Sequence, residues 1–225
     1  MAQHTVAQGE CINSIAHQYG FFWETLWNHP QNAQLKQSRK DPGILLPGDQ
    51  VFIPERVPKT ETRATGQMHR FRLKGVPALC RLQLFEGEEP RANQRYEMIV
   101  GGKVLTGTTD AKGVLTQSIP PDAREAQLTV GPDQAQFTIV FGHLDPIGEL
   151  SGVQARLANL GYPCGASGEL DEATRAALQE FQTRFGLKAT GELDAATRDR
   201  LRSMHDEKSL FPGTPQSEAQ PSSRG

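Results

Sequence analysis

The chain has 225 residues, 36% of them hydrophobic and 22% charged, with a formal net charge of -2. That apolar content can fill several small cores, while the near-neutral charge excludes the basic stripe that binding to nucleic acid or an anionic membrane requires. No apolar run is long enough to span a bilayer, and the opening Met-Ala-Gln-His-Thr-Val lacks the basic start and apolar run of a cleavable signal peptide.

The first predicted module covers residues 1–57. Thr5-Val6 reads as a short strand, followed by a turn at Gly9-Glu10. Ile12, Ile15, Ala16 and Tyr19 then recur at helical spacing until Gly20 stops the helix. Phe21 to Trp27 forms a second apolar helical segment, which Asn28-His29-Pro30 ends because a proline restricts the residue before it. Leu46-Pro47-Gly48-Asp49 is a turn and Val51-Phe52-Ile53 a closing strand. The expected order is βααβ, with 34–43 as an insertion. Two strands alone are marginal in water, so the helices must cover them. Trp23 and Trp27, at helical spacing, suit either a core or a stacking platform for a sugar ring.

These pieces, taken in order from His4 to Pro54, resemble a LysM domain. The resemblance implies binding of N-acetylglucosamine-containing glycans, peptidoglycan or chitin, in a groove between the loop after the first strand and the loop before the last. Carried onto this chain, the sugar-contacting residues are Gly9, Glu10, Cys11, Ile12, Leu45, Leu46, Pro47 and Gly48. The chain departs from the family at Glu10-Cys11, where Asp-Thr is usual; a thiol is a much weaker donor than a hydroxyl. The alternative is a LysM-like fold whose groove carries no ligand.

Residues 58–67 are polar, with Pro58 and Gly66, and read as a linker. Residues 68–142 carry short alternating runs over 69–73, 79–85, 96–100, 103–105, 114–119, 126–130 and 136–140. Gly101-Gly102 suits a two-residue hairpin, and Asp110-Ala111-Lys112-Gly113 a type I turn. Together they predict an antiparallel β-sandwich. Gly107 to Gly113 is weakly similar to the strand–turn–strand of prealbumin-like and carboxypeptidase-regulatory-like domains, which implies an adaptor role.

Residues 143–205 are predicted to form a small three-helix bundle. Val153, Leu157 and Leu160 share one helical face before Gly161. A second helix runs from about Glu172 to Phe185 and a third from about Ala195 to Met204. An internal repeat links them: Gly168-Glu169-Leu170-Asp171-Glu172-Ala173-Thr174-Arg175 returns as Gly191-Glu192-Leu193-Asp194-Ala195-Ala196-Thr197-Arg198, differing only at Glu172 against Ala195. Asp171 and Asp194 are placed to cap the free amides of each first helical turn. Leu170 and Leu193 can pack back onto the helices they precede. The pattern resembles the three-helix peptidoglycan-binding domain found beside cell-wall hydrolases. That resemblance implies wall binding without hydrolysis and, near the repeated turns, contacts from Tyr162, Thr174, Gln182, Thr190, Gly191 and Thr197. Residues 206–225, rich in Pro, Ser, Gly and Gln after Glu207, read as a disordered tail.

Catalysis finds no support in the sequence. The six histidines make no HExxH or other close metal spacing, no phosphate-cradling glycine loop occurs, and no cofactor is expected. The three cysteines, Cys11, Cys80 and Cys164, are odd in number and far apart, which does not suit a disulfide framework. The whole reads as a multidomain α+β protein that binds peptidoglycan at both ends, without nucleic acid or membrane insertion. An alternative is an accessory of a type VI secretion or phage-tail-like contractile machine, partnered by a spike, tube or effector protein. That route would carry a protein made in the cytoplasm without a signal peptide to the periplasm or envelope.

Overall fold

The computed structural model describes residues 2–57, 60, 62–69, 78–87 and 89–206. The architecture is multidomain α+β, with antiparallel sheets and a helical C-terminal region. Contact density divides the chain into two compact units. One comprises residues 1–155 with 166–169, the other 156–165 with 170–225, so the division crosses a helix.

At the N-terminus, β1 (Ala2–Thr5) pairs antiparallel with β2 (Gln50–Ile53), Ala2 opposite Ile53. Between them lie α1 (Ile12–Tyr19), α2 (Trp23–Trp27), a 3-10 turn (Pro30–Asn32) and α3 (Ala33–Arg39). Helix α1 ends at Gly20, which takes the left-handed conformation (φ +68°) that glycine tolerates. Val6, Ile12, Ile15, Ala16, Leu26, Trp27, Leu45, Val51 and Ile53 form the core, with Trp23 packed at its margin. Trp27 is therefore a core residue. Buried Asn32 ties α2 to the sheet: its Nδ2 donates to Leu26 O (2.9 Å) and Phe52 O (3.0 Å), and its Oδ1 accepts from Phe52 N (2.8 Å). The expected βααβ order thus gains a third helix in the segment read as an insertion. Residues 33–39 contain no Gly or Pro and are mostly good helix formers. Arg39 anchors the helix end through a two-pronged bond to Asp49, both contacts 2.7 Å.

The β-rich part comprises β3 (Ala78–Gln83), β4 (Phe85–Glu86), β5 (Glu89–Pro90), β6 (Arg95–Val100), β7 (Lys103–Thr108), β8 (Val114–Ile119), β9 (Glu125–Val130) and β10 (Ala135–Val140). A four-stranded antiparallel sheet has the order β10-β9-β6-β7, β3 pairs with β8, and β4 with β5. One apolar core draws Cys80, Leu115 and Ile119 from the β3–β8 pair, and Met98, Val100, Ala126, Leu128 and Val130 from the larger sheet. Alternation along β6 leaves Tyr96, Met98 and Val100 buried and the residues between them exposed. Tyr96 crosses under Gly107, where a Cβ would meet its ring and hydroxyl, and that hydroxyl accepts from Gln117 Nε2 on β8 (3.0 Å). The Gly101-Gly102 hairpin has positive φ at both residues. Asp110 Oδ1 accepts from Lys112 N and Val114 N and fixes the next turn. Arg91 is buried and forked onto Asp133. The strand expected over 69–73 lies, from residue 70 onward, outside the described residues, as does the tail from residue 207.

Three further helices follow: α4 (Leu150–Asn159), α5 (Glu172–Arg184) and α6 (Ala195–His205). Leu157, Leu178, Phe181 and Leu201 are fully buried. Tyr162 meets Phe181 edge-on at 5.6 Å. Arg156, 1% exposed, donates from Nε to Asp206 Oδ1 (2.9 Å) and from Nη2 to Oδ2 (3.1 Å). Asp206 also accepts from His205 Nδ1 at 2.8 Å.

Candidate functional site

The repeated sequence folds into two equivalent turns, each held by a buried glutamine amide. In the first, Gln154 Nε2 donates to Glu169 O (3.0 Å) and Ser167 Oγ (3.2 Å), while Gln154 Oε1 accepts from Gly168 N (2.8 Å). In the second, Gln182 Nε2 donates to Glu192 O (2.9 Å) and Thr197 Oγ1 (3.0 Å), and Gln182 Oε1 accepts from Gly191 N (2.9 Å). Ser167 and Thr190 are counterparts: each hydroxyl accepts from the backbone N–H two residues on, at 3.2 Å. Gly168 and Gly191 share positive φ, +72° and +69°. A carboxylate caps the helix after each turn. Asp171 Oδ1 accepts from Thr174 N (2.8 Å), and Asp194 Oδ1 from Thr197 N (2.7 Å). Hydrogen bonds from the Thr197 side chain and backbone hold the Asp194 carboxyl below its ordinary pKa.

This geometry places the six C-terminal candidates. Thr174, Gln182 and Thr197 are fully buried, and Tyr162 and Gly191 are buried as well. Only Thr190 is half-exposed. Gln182, Thr190, Gly191 and Thr197 come together around one turn; Thr174 belongs to the other, and Tyr162 packs on Phe181. Their side chains build the turns, so what meets solvent is the turn itself, with exposed Glu169, Glu192 and Asp194. The equivalence of Gln154 and Gln182 was not visible in the repeat, because the glutamines are 28 residues apart and the turns 23.

The N-terminal candidates fall on two loops that the structure sets side by side. Gly48 N donates to Val6 O (2.8 Å), Val6 N to Asp49 O (2.9 Å), and Ile12 N to Pro42 O (3.0 Å). Asp49 Oδ2 also accepts from Leu46 N at 2.9 Å. Burial works to raise the Asp49 carboxyl, but bonds from Arg39 and Leu46 outweigh it and leave its pKa below the ordinary value. Ile12 and Leu45 are buried in the core; Glu10, Cys11 and Leu46 are half-exposed, and Pro47 and Gly48 exposed. Gly9 is buried because Gly142 lies against it and its carbonyl accepts from Arg124. Glu10 is held by His4 Nε2 (2.7 Å) and Ala7 N (2.9 Å). Burial raises the Glu10 carboxyl, and these groups with Arg124 outweigh burial to bring its pKa down. The open part of these loops therefore runs over Glu10, Cys11, Leu46, Pro47 and Gly48.

Among the described residues, no group of three or more His, Cys, Asp or Glu side chains is placed to hold a metal ion. The three cysteines are free thiols. Burial pushes Cys80 up to about 11, and burial together with the Asp171 charge raises Cys164, so neither has the lowered pKa of an activated nucleophile.

The helices of this region are joined by clamped and capped turns whose polar side chains bond to their own backbone. Residues 148–201 match the family model of a putative peptidoglycan binding domain. No curated protein matches the chain, and no solved structure does.

Proposed function

We propose that the chain is a non-catalytic binder of bacterial peptidoglycan that engages the wall through its C-terminal helical region and, at the other end, through a LysM-like glycan groove. The family match over 148–201 carries the first half of the reading. The paired loops at Glu10, Cys11, Leu46, Pro47 and Gly48 support the second, since they lie between β1 and β2 as the groove would. At the C-terminal end the contact surface is the solvent side of the two clamped turns, with Thr190 on its rim, and the buried members of the candidate set hold those turns in shape.

Two weak sites on one chain suit a repeating polymer, because binding at one raises the effective concentration of the other. A protein with this partner works in the periplasm or envelope. The delivery route we propose is attachment to a spike or tube protein of a contractile machine, which copurification would detect. Cosedimentation of the full chain with purified sacculi tests the function itself. Retention that soluble peptidoglycan fragments compete away is expected; a chain that stays in the supernatant contradicts the reading.

A further inference from the structure

The outer face of the four-stranded sheet holds a polar cleft that neither terminal region uses. It is an open depression of about 630 Å³, lined chiefly by Arg95, Glu97, Thr106, Thr108, Thr129 and Gln134. Strand alternation puts Arg95 and Glu97 on the same face of β6, about 7 Å apart along the strand. The register sets Thr108 opposite Arg95, and Thr106 and Thr129 on either side of Glu97. The floor is firm, because Tyr96 is buried beneath Gly107 and bonded to Gln117.

Opposite charges set across from each other stabilise a sheet, yet here the register sets Thr108 opposite Arg95 and Thr106 and Thr129 opposite Glu97, with the Gly131 backbone N–H bonded to the Arg95 carbonyl. Among the described residues neither charge has an ion-pair partner. A cation and an anion, side by side and both free, complement a ligand that brings both signs on one centre. We propose that this cleft binds the peptide stem of peptidoglycan through a zwitterionic amino-acid centre, one carrying a free ammonium and a free carboxylate.

This inference rests on the peptidoglycan reading and adds a peptide contact between the two ends proposed to engage the wall. The Arg95 fork takes the carboxylate through parallel N–H bonds. Glu97 accepts from the ammonium, and the threonine hydroxyls, which both donate and accept, serve the flanking amides. A phosphate ligand would meet the Glu97 carboxylate. A sugar would lack a stacking face, since Tyr96, the aromatic residue lining the cleft, is buried.

The test is calorimetric titration of the full chain with N-acetyl-L-alanyl-γ-D-glutamyl-meso-diaminopimelate, whose one free amine lies beside a carboxylate on the diaminopimelate, and with the same peptide acetylated on that amine. The wild-type chain should bind the free peptide, and Arg95→Ala and Glu97→Gln should each weaken it about threefold to fivefold. Acetylation should weaken wild-type binding by a similar factor and have no further effect on Glu97→Gln. Near-UV spectra and melting temperatures of the variants should match wild type, since both side chains are exposed. Absent binding by the wild-type chain, equal binding of free and acetylated peptide, or unchanged affinity in both variants overturns the proposal. Retention on sacculi separates the two readings: if it persists while the tripeptide fails, only the cleft assignment falls.

Discussion

The two ends of the chain spend their polar residues in opposite ways. In the C-terminal turns the conspicuous side chains, Gln182, Thr174 and Thr197, are fully buried and bonded to their own backbone. In the N-terminal loops Glu10 and Cys11 stay half-exposed, and Pro47 and Gly48 face solvent. A repeated polar motif can therefore mark the frame of a binding surface, whereas a loop of glycine, proline and backbone amides can be the surface itself. On the proposed reading, substitutions at the first should be read mainly in stability, and at the second mainly in binding.

The largest expected effect breaks the C-terminal frame. Gln182→Ala leaves Gly191 N–H and Glu192 C=O without their partner and opens a cavity, at a cost of roughly 2–4 kcal/mol. Urea unfolding would measure it, and an unchanged midpoint would mean the clamp is not holding the turn. Asp206→Asn comes next. It removes the charge facing buried Arg156 and should destabilise by about 3 kcal/mol, less if Arg156 draws water in.

The same pair gives a pH prediction. Burial tends to raise the Asp206 carboxyl, but bonds from His205 and Arg156 outweigh it, so its folded pKa lies below the ordinary value. Its stabilisation is present above the unfolded pKa of about 3.9 and is lost as pH falls through the lower folded value. Melting temperature followed from neutral to acid pH should therefore drop in this range, and Asp206→Asn should flatten part of that drop. Asp49, lowered chiefly by Arg39 against its burial, behaves the same way at the other end, and Asp49→Asn should flatten a separate share.

Smaller effects sharpen the contrast. Asp194→Ala removes a cap from α6 and should lower the urea midpoint by less than Gln182→Ala. Pro47→Ala, on the exposed N-terminal loop, should leave the midpoint nearly unchanged and weaken retention on chitin-type oligosaccharides by a few-fold. A full loss of stability there would erase the distinction between frame and surface.

What the sequence revealed follows the range of the interactions. Both caps at Asp171 and Asp194 were legible, because a cap and the amide it meets lie three residues apart. The β-hairpin at Gly101-Gly102 and the Asp110 turn were legible for the same reason. Helix α3 was read as an insertion because its anchor, the Arg39–Asp49 fork, spans ten residues with a turn between them. The glutamine clamps were not legible because the bond from Gly168 N–H to Gln154 Oε1 closes over a loop whose length differs from its counterpart's. Burial was the hardest property to read. Thr174 and Thr197 carry hydroxyls that suit a ligand, and only the folded chain shows those residues buried in the helices' first turns.

Residue-resolved NMR of the full chain, titrated with soluble peptidoglycan fragments, tests the central claim most directly. The account predicts amide shifts concentrated in the turns at 167–171 and 190–194, within the region that matches the peptidoglycan-binding family model. Shifts confined to residues outside 148–201, or none at saturating fragment, would contradict it.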